Sequence, residues 1–167
     1  MIEVLEASQL QPDQRDMAKI VRESAFALLA IVDDVLDFSK IEAGQFTIDH
    51  APLDVASVVE GVGDALRHLS ENKGVRLRLY IDPWLASPIQ GDAGRLRQVL
   101  MNLVGNAIKF SSGQTRTGSV SLRAHCAVSI SGDNMLSLVV SDNGVGMDAA
   151  TLTSLFSPFT QADASTT

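Results

Sequence analysis

The sequence predicts an α+β protein: an N-terminal helical segment, then a two-layer sandwich with helices on one side of a mostly antiparallel or mixed sheet. Three observations carry this. Apolar residues between Met17 and Phe38 recur in a 4-3 rhythm, the mark of a long amphipathic helix. After Ala43-Gly44 the apolar period drops to two, as in half-buried strands. Beyond that point two further amphipathic stretches, 54–74 and 91–112, alternate with strand-like segments that have one apolar face.

Met1–Leu10 is expected to be the tail of a helix that begins earlier, since Ile2, Val4 and Leu5 are apolar with nothing ahead to pack them. Gln11-Pro12-Asp13 restarts the chain. Proline is tolerated in a first helical turn, and an aspartate there complements the positive end of the helix dipole. The helix that follows is expected to run to about Ile41. Its Met17, Val21, Ser24, Leu28, Ile31, Val35 and Phe38 keep the 4-3 spacing, and Ala25, Leu29, Val32 and Leu36 widen the face beyond a coiled-coil seam. At roughly 25 cal/mol per Å², so large an apolar face calls for a partner. A second copy is the expected one, giving a helical hairpin in a dimeric four-helix bundle through Met17–Phe38. Packing onto the rest of the chain is the alternative.

A domain boundary is placed near Gly44, dividing the chain into 1–43 and 44–167. Phe46 and Ile48 alternate with polar neighbours and predict a short strand. Asp54 then caps a helix whose buried stripe is Val55, Val58, Val59, Val62, Leu66 and Leu69, with Gly74 as its stop. Val75, Leu77, Leu79 and Ile81 alternate with Arg76, Arg78, Tyr80 and Asp82, a strand with one wet face. Pro83–Pro88 reads as a loop in which Trp84 packs. After the stretch 91–112 comes a polar loop, Gln114–Gly118. Val120, Leu122, Ala124, Cys126, Val128 and Ile130 then alternate, Ser131-Gly132-Asp133-Asn134 turns the chain, and Leu136, Leu138 and Val140 return as a hairpin.

The stretch Gly91–Ser112 holds the first functional signal. Leu96, Val99, Leu100, Leu103, Ala107 and Phe110 predict a helix with one buried face. At about 100° per residue, Arg95, Gln98, Asn102, Asn106 and Lys109 share a separate arc roughly 80° wide. A solvated face would more often carry Glu and Lys, which are better helix formers. Two short amides in line with an ammonium suit a metal–phosphate group. Asp92 is placed as the N-cap, and Ser111-Ser112-Gly113 as the stop.

At 46% hydrophobic over 167 residues, the chain can bury a core. Its formal charge of −7, with no Lys/Arg block, argues against a nucleic-acid surface. The single cysteine excludes an internal disulfide and fits a reducing cytoplasm, so the expected location is cytoplasmic. Runs such as Ala25–Val32 are too short to cross a bilayer, so this piece is not expected in the membrane. Anchoring of a longer parent in the inner membrane is left open.

The returning strand leads into Ser141-Asp142-Asn143-Gly144-Val145-Gly146-Met147. A carboxylate at a strand end can accept from an amine of a flat ligand, and the glycines let backbone approach it. Phe156 and Phe159 follow. In this order, N-x-x-x-N-x-x-K on a helix, a hairpin, D-N-G-V-G-M and L-F-S-P-F-T-Q resemble the ATP-binding domain of sensor histidine kinases, a Bergerat-type fold shared with gyrase, the 90-kilodalton heat-shock chaperone and mismatch-repair ATPases. IVDDVLDFSKIEAG at Ile31–Gly44 is similar to the end of the second helix of the dimerisation and phosphotransfer domain, especially of hybrid kinases.

The resemblance implies that 1–43 is part of the dimerisation and phosphotransfer helices and 44–167 the catalytic domain, without its lid and second glycine box. It implies ATP and Mg²⁺ as ligands. Asn106 would coordinate the metal with Asn102 assisting, Lys109 would contact phosphate, and Asp142 would accept from the adenine amine. Gly144 and Gly146 would shape the base pocket, and Phe156 and Phe159 would anchor the lid. Hydrolysing relatives are similar to one another in carrying a Glu four residues before the metal-binding Asn. Asn102 stands there and takes no proton at neutral pH, which favours phosphoryl transfer over hydrolysis.

The family's acceptor histidine, in an H-E/D-x-x-T/N-P setting, is not matched at His50, His68 or His125, and G-x-G-x-G is absent. The sequence is therefore expected to be a piece of a longer kinase, with no catalytic residue of its own. Its phosphoryl group would reach a histidine upstream of residue 1 and then an aspartate on a response-regulator receiver domain. A non-catalytic module that dimerises and docks partners is the alternative.

Overall fold

The computed structural model describes residues 10–86, 89–128 and 134–155. Ile2, Val4 and Leu5, the turn residues Ser131–Asp133, and Phe156 and Phe159 lie outside the described residues. The chain divides into two compact units, Met1–Thr47 and Ile48–Thr167.

The first unit is built on helix α1, Pro12–Glu42. Its start is fixed as the local chemistry demands. Pro12 occupies the first turn, Asp13 follows it, and the Gln11 backbone N–H donates to Gln14 Oε1 at 3.0 Å. Lys40 lies in the last turn and Gly44 takes φ +66° just beyond it. Met17, Val21, Leu28, Ile31 and Val35 all stand on the surface of this unit. The strand expected at Phe46–Ile48 does not form: residues 45–50 have no regular structure. Alternation gives a strand only where a ladder partner exists, and the pairing falls a few residues later.

That pairing opens the second unit. Strand β1, Ala51–Leu53, runs antiparallel to β3, Ile89–Gly91, with Pro52 opposite Gln90. A two-stranded ribbon has only edges, so a proline that donates no hydrogen bond is tolerated. Helix α2, Val55–Asn72, buries Val55, Val58, Val59, Val62 and Leu66 as expected, whereas Leu69 is 38% exposed near the helix end. Gly63 on α2 faces Leu79 so closely that a Cβ would collide with its methyl group, which sets how near the helix lies to the sheet.

Strand β2, Val75–Ile81, is parallel to β4, Gly118–Val128, and β4 is antiparallel to β5, Asn134–Asp142, in the order β2-β4-β5. One face of this mixed sheet offers Val120, Leu122 and Ala124, with Leu77, Leu79, Leu136, Leu138 and Val140, to α2 and to α3, Ala93–Ser111. Between β2 and β3, Pro83–Ala86 forms a 3-10 turn. Leu85 is buried there, while Trp84 is 84% exposed, contrary to the packing role expected of it. The turn is set by Asp82, whose Oδ1 accepts from the Trp84 N–H, and it points the indole outward.

Both large helices of this unit start on aspartates. Asp54 Oδ2 accepts from Ser57 Oγ at 2.7 Å and Oδ1 from Ser57 N at 3.2 Å; Asp92 Oδ1 accepts from Arg95 N at 2.9 Å and Oδ2 from Asp49 N at 3.3 Å. These bonds favour the charged form, so both carboxyls are held below the usual carboxylate range. The Ser57 hydroxyl is the leading cause at Asp54 and the Arg95 N–H at Asp92. A lowered folded-state value means that the unfolded chain takes up protons first as pH falls. The capping contribution is therefore complete above the ordinary carboxylate range and is lost below it. Urea midpoints should be flat from about pH 7 to about pH 5 and fall towards about pH 3. In an Asp54→Asn, Asp92→Asn double variant that acid-side fall should be shallower.

Candidate functional site

Helix α3 buries Leu100, Val104, Ala107, Ile108 and Ser111. This is a rotation of the predicted stripe: Leu100 and Ala107 are shared, but Val99, Leu103 and Phe110 are 53%, 49% and 43% exposed. The apolar arc of α3 is wider than the sheet can cover, and the excess lies beside the polar row. That row is itself divided. Arg95 Nη1 donates to Gln98 Oε1 at 2.8 Å, so the first two members engage each other. Asn102, Asn106 and Lys109 remain, all exposed, and the two amides make no hydrogen bond among the described residues. The Lys109 ammonium lies 5.5 Å from the centre of the Phe110 ring.

The end of α3 is tied down by its own loop. Ser112 Oγ donates to Lys109 O at 2.7 Å, Gln114 Nε2 to Phe110 O at 3.0 Å, and Gly113 takes φ +73°. These groups satisfy carbonyls that a helix end leaves open. At Gly118, where β4 begins, a Cβ would lie 2.6 Å from the Ser111 carbonyl oxygen.

The Asp142 turn meets α3 at this end. A Cβ on Gly144 would lie 2.7 Å from the Phe110 carbonyl oxygen and 2.8 Å from Asp142 Oδ1. Gly144 therefore serves close approach, whereas Gly146, at φ +75°, serves conformation. The Gly144 N–H donates to Asp142 Oδ1 at 2.7 Å, which fixes that oxygen and leaves Oδ2 for another donor. Asn106 stands four residues before Phe110, one helical turn back, and Asn102 two turns back. Asp142 and Gly144 thus meet the end of α3 at Phe110, the residue after Lys109, and Phe156 and Phe159 fall outside the described residues.

Three further residues take part. The sequence pattern puts Phe110 in the core and Arg116 in the polar loop 114–118, and it gives Asn143, inside the D-N-G-V-G-M motif, no role of its own. Asn143 staples the turn to β4: its Oδ1 accepts from Ser119 N at 2.8 Å and its Nδ2 donates to Thr117 O at 3.0 Å. Arg116 Nη2 donates to the carbonyls of Asn143 and Gly144, the latter at 3.2 Å. Only the asparagine after the aspartate gave a local hint, since Asn is common in turns.

An open depression of about 400 Å³ lies elsewhere, lined by Tyr80, Ile81, Asp82, Arg123, Ala124 and His125. It sits towards the opposite end of β4 from the Asp142 turn, which pairs at Val120. Its arginine is engaged by the Tyr80 ring, 5.1 Å away. The end of α3 with the Asp142 turn is the stronger site, because the Asn102 and Asn106 amides make no hydrogen bond among the described residues and Asp142 keeps Oδ2 for a further donor.

The gap at Gly144 makes a prediction. Gly144→Ala should force the turn away from α3 and cost about 1–3 kcal/mol of stability, as overpacking does. At Gly105, inside the same helix, an added Cβ meets nothing within 4 Å, so Gly105→Ala should stabilise by up to about 1 kcal/mol. Denaturant melts of the two variants check the contrast.

A helix-backed mixed sheet with an Asp-x-Gly turn set against the end of α3 defines the class, an ATPase-type nucleotide fold. Residues 91–167 match the family described as histidine kinase-, DNA gyrase B-, and HSP90-like ATPase. Within that class the chain is similar along nearly its whole length to sensor histidine kinases. It is 37% identical over 158 residues to the signal transduction histidine-protein kinase BarA of Escherichia coli, covering 95% of this chain and 17% of BarA. It is also 37% identical over 168 residues to the autoinducer 2 sensor kinase/phosphatase LuxQ of Vibrio parahaemolyticus, covering 99% and 19%. Among solved structures it is similar to full-length ShkA in complex with AMPPNP, with a TM-score of 0.68, 31% identity, and coverage of 90% of this chain and 31% of ShkA. The chain spans less than a fifth of the length of these two curated relatives. Among the described residues no helix is long and apolar enough to cross a membrane.

Proposed function

We propose that this chain is the ATP-binding core of a two-component sensor histidine kinase. Its site would direct the γ-phosphoryl group of ATP to a histidine outside this chain, from which it passes to a receiver aspartate on a response regulator. The observation that supports the reading is the contact of Gly144 with the Phe110 carbonyl, which brings the Asp142 turn to the end of α3 that carries Lys109.

The residues present suit a nucleotide. Asp142 Oδ2 would accept from the adenine amine while Oδ1 holds the Gly144 N–H. Gly146 shapes the base pocket with Gly144, and Lys109 offers its ammonium to phosphate oxygens. Asn106, assisted by Asn102, would hold Mg²⁺, which supplies charge neutralisation on the phosphates when bound. A magnesium ion held there would take its remaining ligands from phosphate oxygens and water. Asn102 has no basic atom to activate water, and the nucleotide is kept for transfer. Phe156 and Phe159 would anchor the lid.

On this reading 1–43 contributes the dimerisation and phosphotransfer helices and 44–167 the catalytic domain. The exposed 4-3 face of α1 is what a homodimer through Met17–Phe38 would cover. The cytoplasm is the compartment that supplies ATP to such a site. The test is incubation of the full-length protein with γ-labelled ATP. Acid-labile, alkali-stable label is the expected result. Steady phosphate release without labelled protein, or no label at all, overturns the reading.

A further inference from the structure

We infer that Arg116 and Asn143 are positioning residues that aim the Asp142 carboxylate and thereby set the preference for adenine over guanine; this rests on the nucleotide-binding reading above. Asp142 Oδ1 is committed to the Gly144 N–H, so discrimination falls to Oδ2 alone. A single acceptor discriminates only if its direction is fixed. An adenine amine donates to it, whereas the guanine carbonyl at the same place repels it, and a carboxylate free to swing loses both effects.

The turn is only half-buried at Asn143 and Gly144 and exposed at Asp142, Val145 and Gly146, and Gly146 at φ +75° gives it backbone freedom. What holds it comes from the segment between α3 and β4. The Asn143 backbone N–H donates to Ser119 O at 3.2 Å, and its side chain accepts from Ser119 N and donates to Thr117 O. From the other side a single guanidinium nitrogen, Arg116 Nη2, donates to the carbonyls of both Asn143 and Gly144, holding two consecutive peptide units. Gln114, two residues earlier, bonds the Phe110 carbonyl against which Gly144 rests. Neither Arg116 nor Asn143 belongs to the row that meets the nucleotide, so both act through Asp142.

The experiment measures ATP and GTP affinities of the full-length protein by calorimetry, with thermal melts alongside. Arg116 is exposed, so Arg116→Ala should fold normally and melt like the wild type. Its ATP-over-GTP ratio should fall about tenfold. Arg116→Lys keeps a charged donor nitrogen but on a shorter side chain, and should recover only part of the ratio. Asn143→Asp, which retains the acceptor for Ser119 N and loses the donor to Thr117 O, should fall between wild type and Asn143→Ala. A wild-type ratio in both Arg116→Ala and Asn143→Ala, with the ratio lost in Asp142→Asn, overturns the inference alone. Equal losses for ATP and GTP with a lowered melting temperature also overturn it. If the wild type binds no ATP, or Asp142→Asn keeps the wild-type ratio, the nucleotide reading fails and the inference with it.

Discussion

Asp142→Asn is expected to weaken ATP binding about a hundredfold or more while leaving the melting temperature nearly unchanged. The substitution is nearly isosteric, and an asparagine Oδ1 can still accept from the Gly144 N–H that Asp142 now holds at 2.7 Å. What changes is the second atom. An acceptor becomes an NH₂ donor facing the adenine amine, so the site loses a charge-assisted bond and gains donor against donor. Calorimetric titration of wild type and variant with ATP measures the effect. Equal affinities would remove Asp142 from the base site.

Asn106→Ala should strike the other end of the site. Phosphoryl transfer is expected to fall at least about a hundredfold, because the metal's charge neutralisation is delivered only if the ion is held in place. The diagnostic is metal dependence. Wild-type affinity for ATP should rise when Mg²⁺ is added, and in Asn106→Ala that rise should vanish. Adenosine binding, which depends on the Asp142 turn one helical turn further along, should stay within about threefold of wild type. A variant whose ATP affinity still responds fully to Mg²⁺ would remove Asn106 from the metal position.

What the sequence made legible was what local spacing encodes. The caps Asp54 and Asp92, the stops Gly74 and Gly113, and the period of two through Val120, Leu122 and Ala124 are all written within a few residues of where they act. The Asn102–Asn106–Lys109 row was legible for the same reason, since three- and four-residue steps share a helix face. Contacts made across the fold leave no such periodic trace. Val99, Leu103 and Phe110 fit the apolar stripe of α3, and only the width of the sheet decides that they stay outside. Strand β3 is three residues long and exists because Leu53 pairs with Ile89. Phe46 and Ile48 alternate well but have no ladder to join. Arg116 and Asn143 reach across 24 or more residues to one another's strands and carbonyls, and no local pattern announces that.

One nucleotide engaged by both the α3 amides and the Asp142 turn is the central expectation, and amide NMR of this chain titrated with Mg-ATP tests it most directly. Resonances of Asn102, Asn106 and Lys109 should shift together with those of Asn143, Gly144 and Gly146, along a single binding curve, while Tyr80, Arg123 and His125 stay still. Shifts confined to the Tyr80–Arg123 depression, or two groups moving with different affinities, would contradict it.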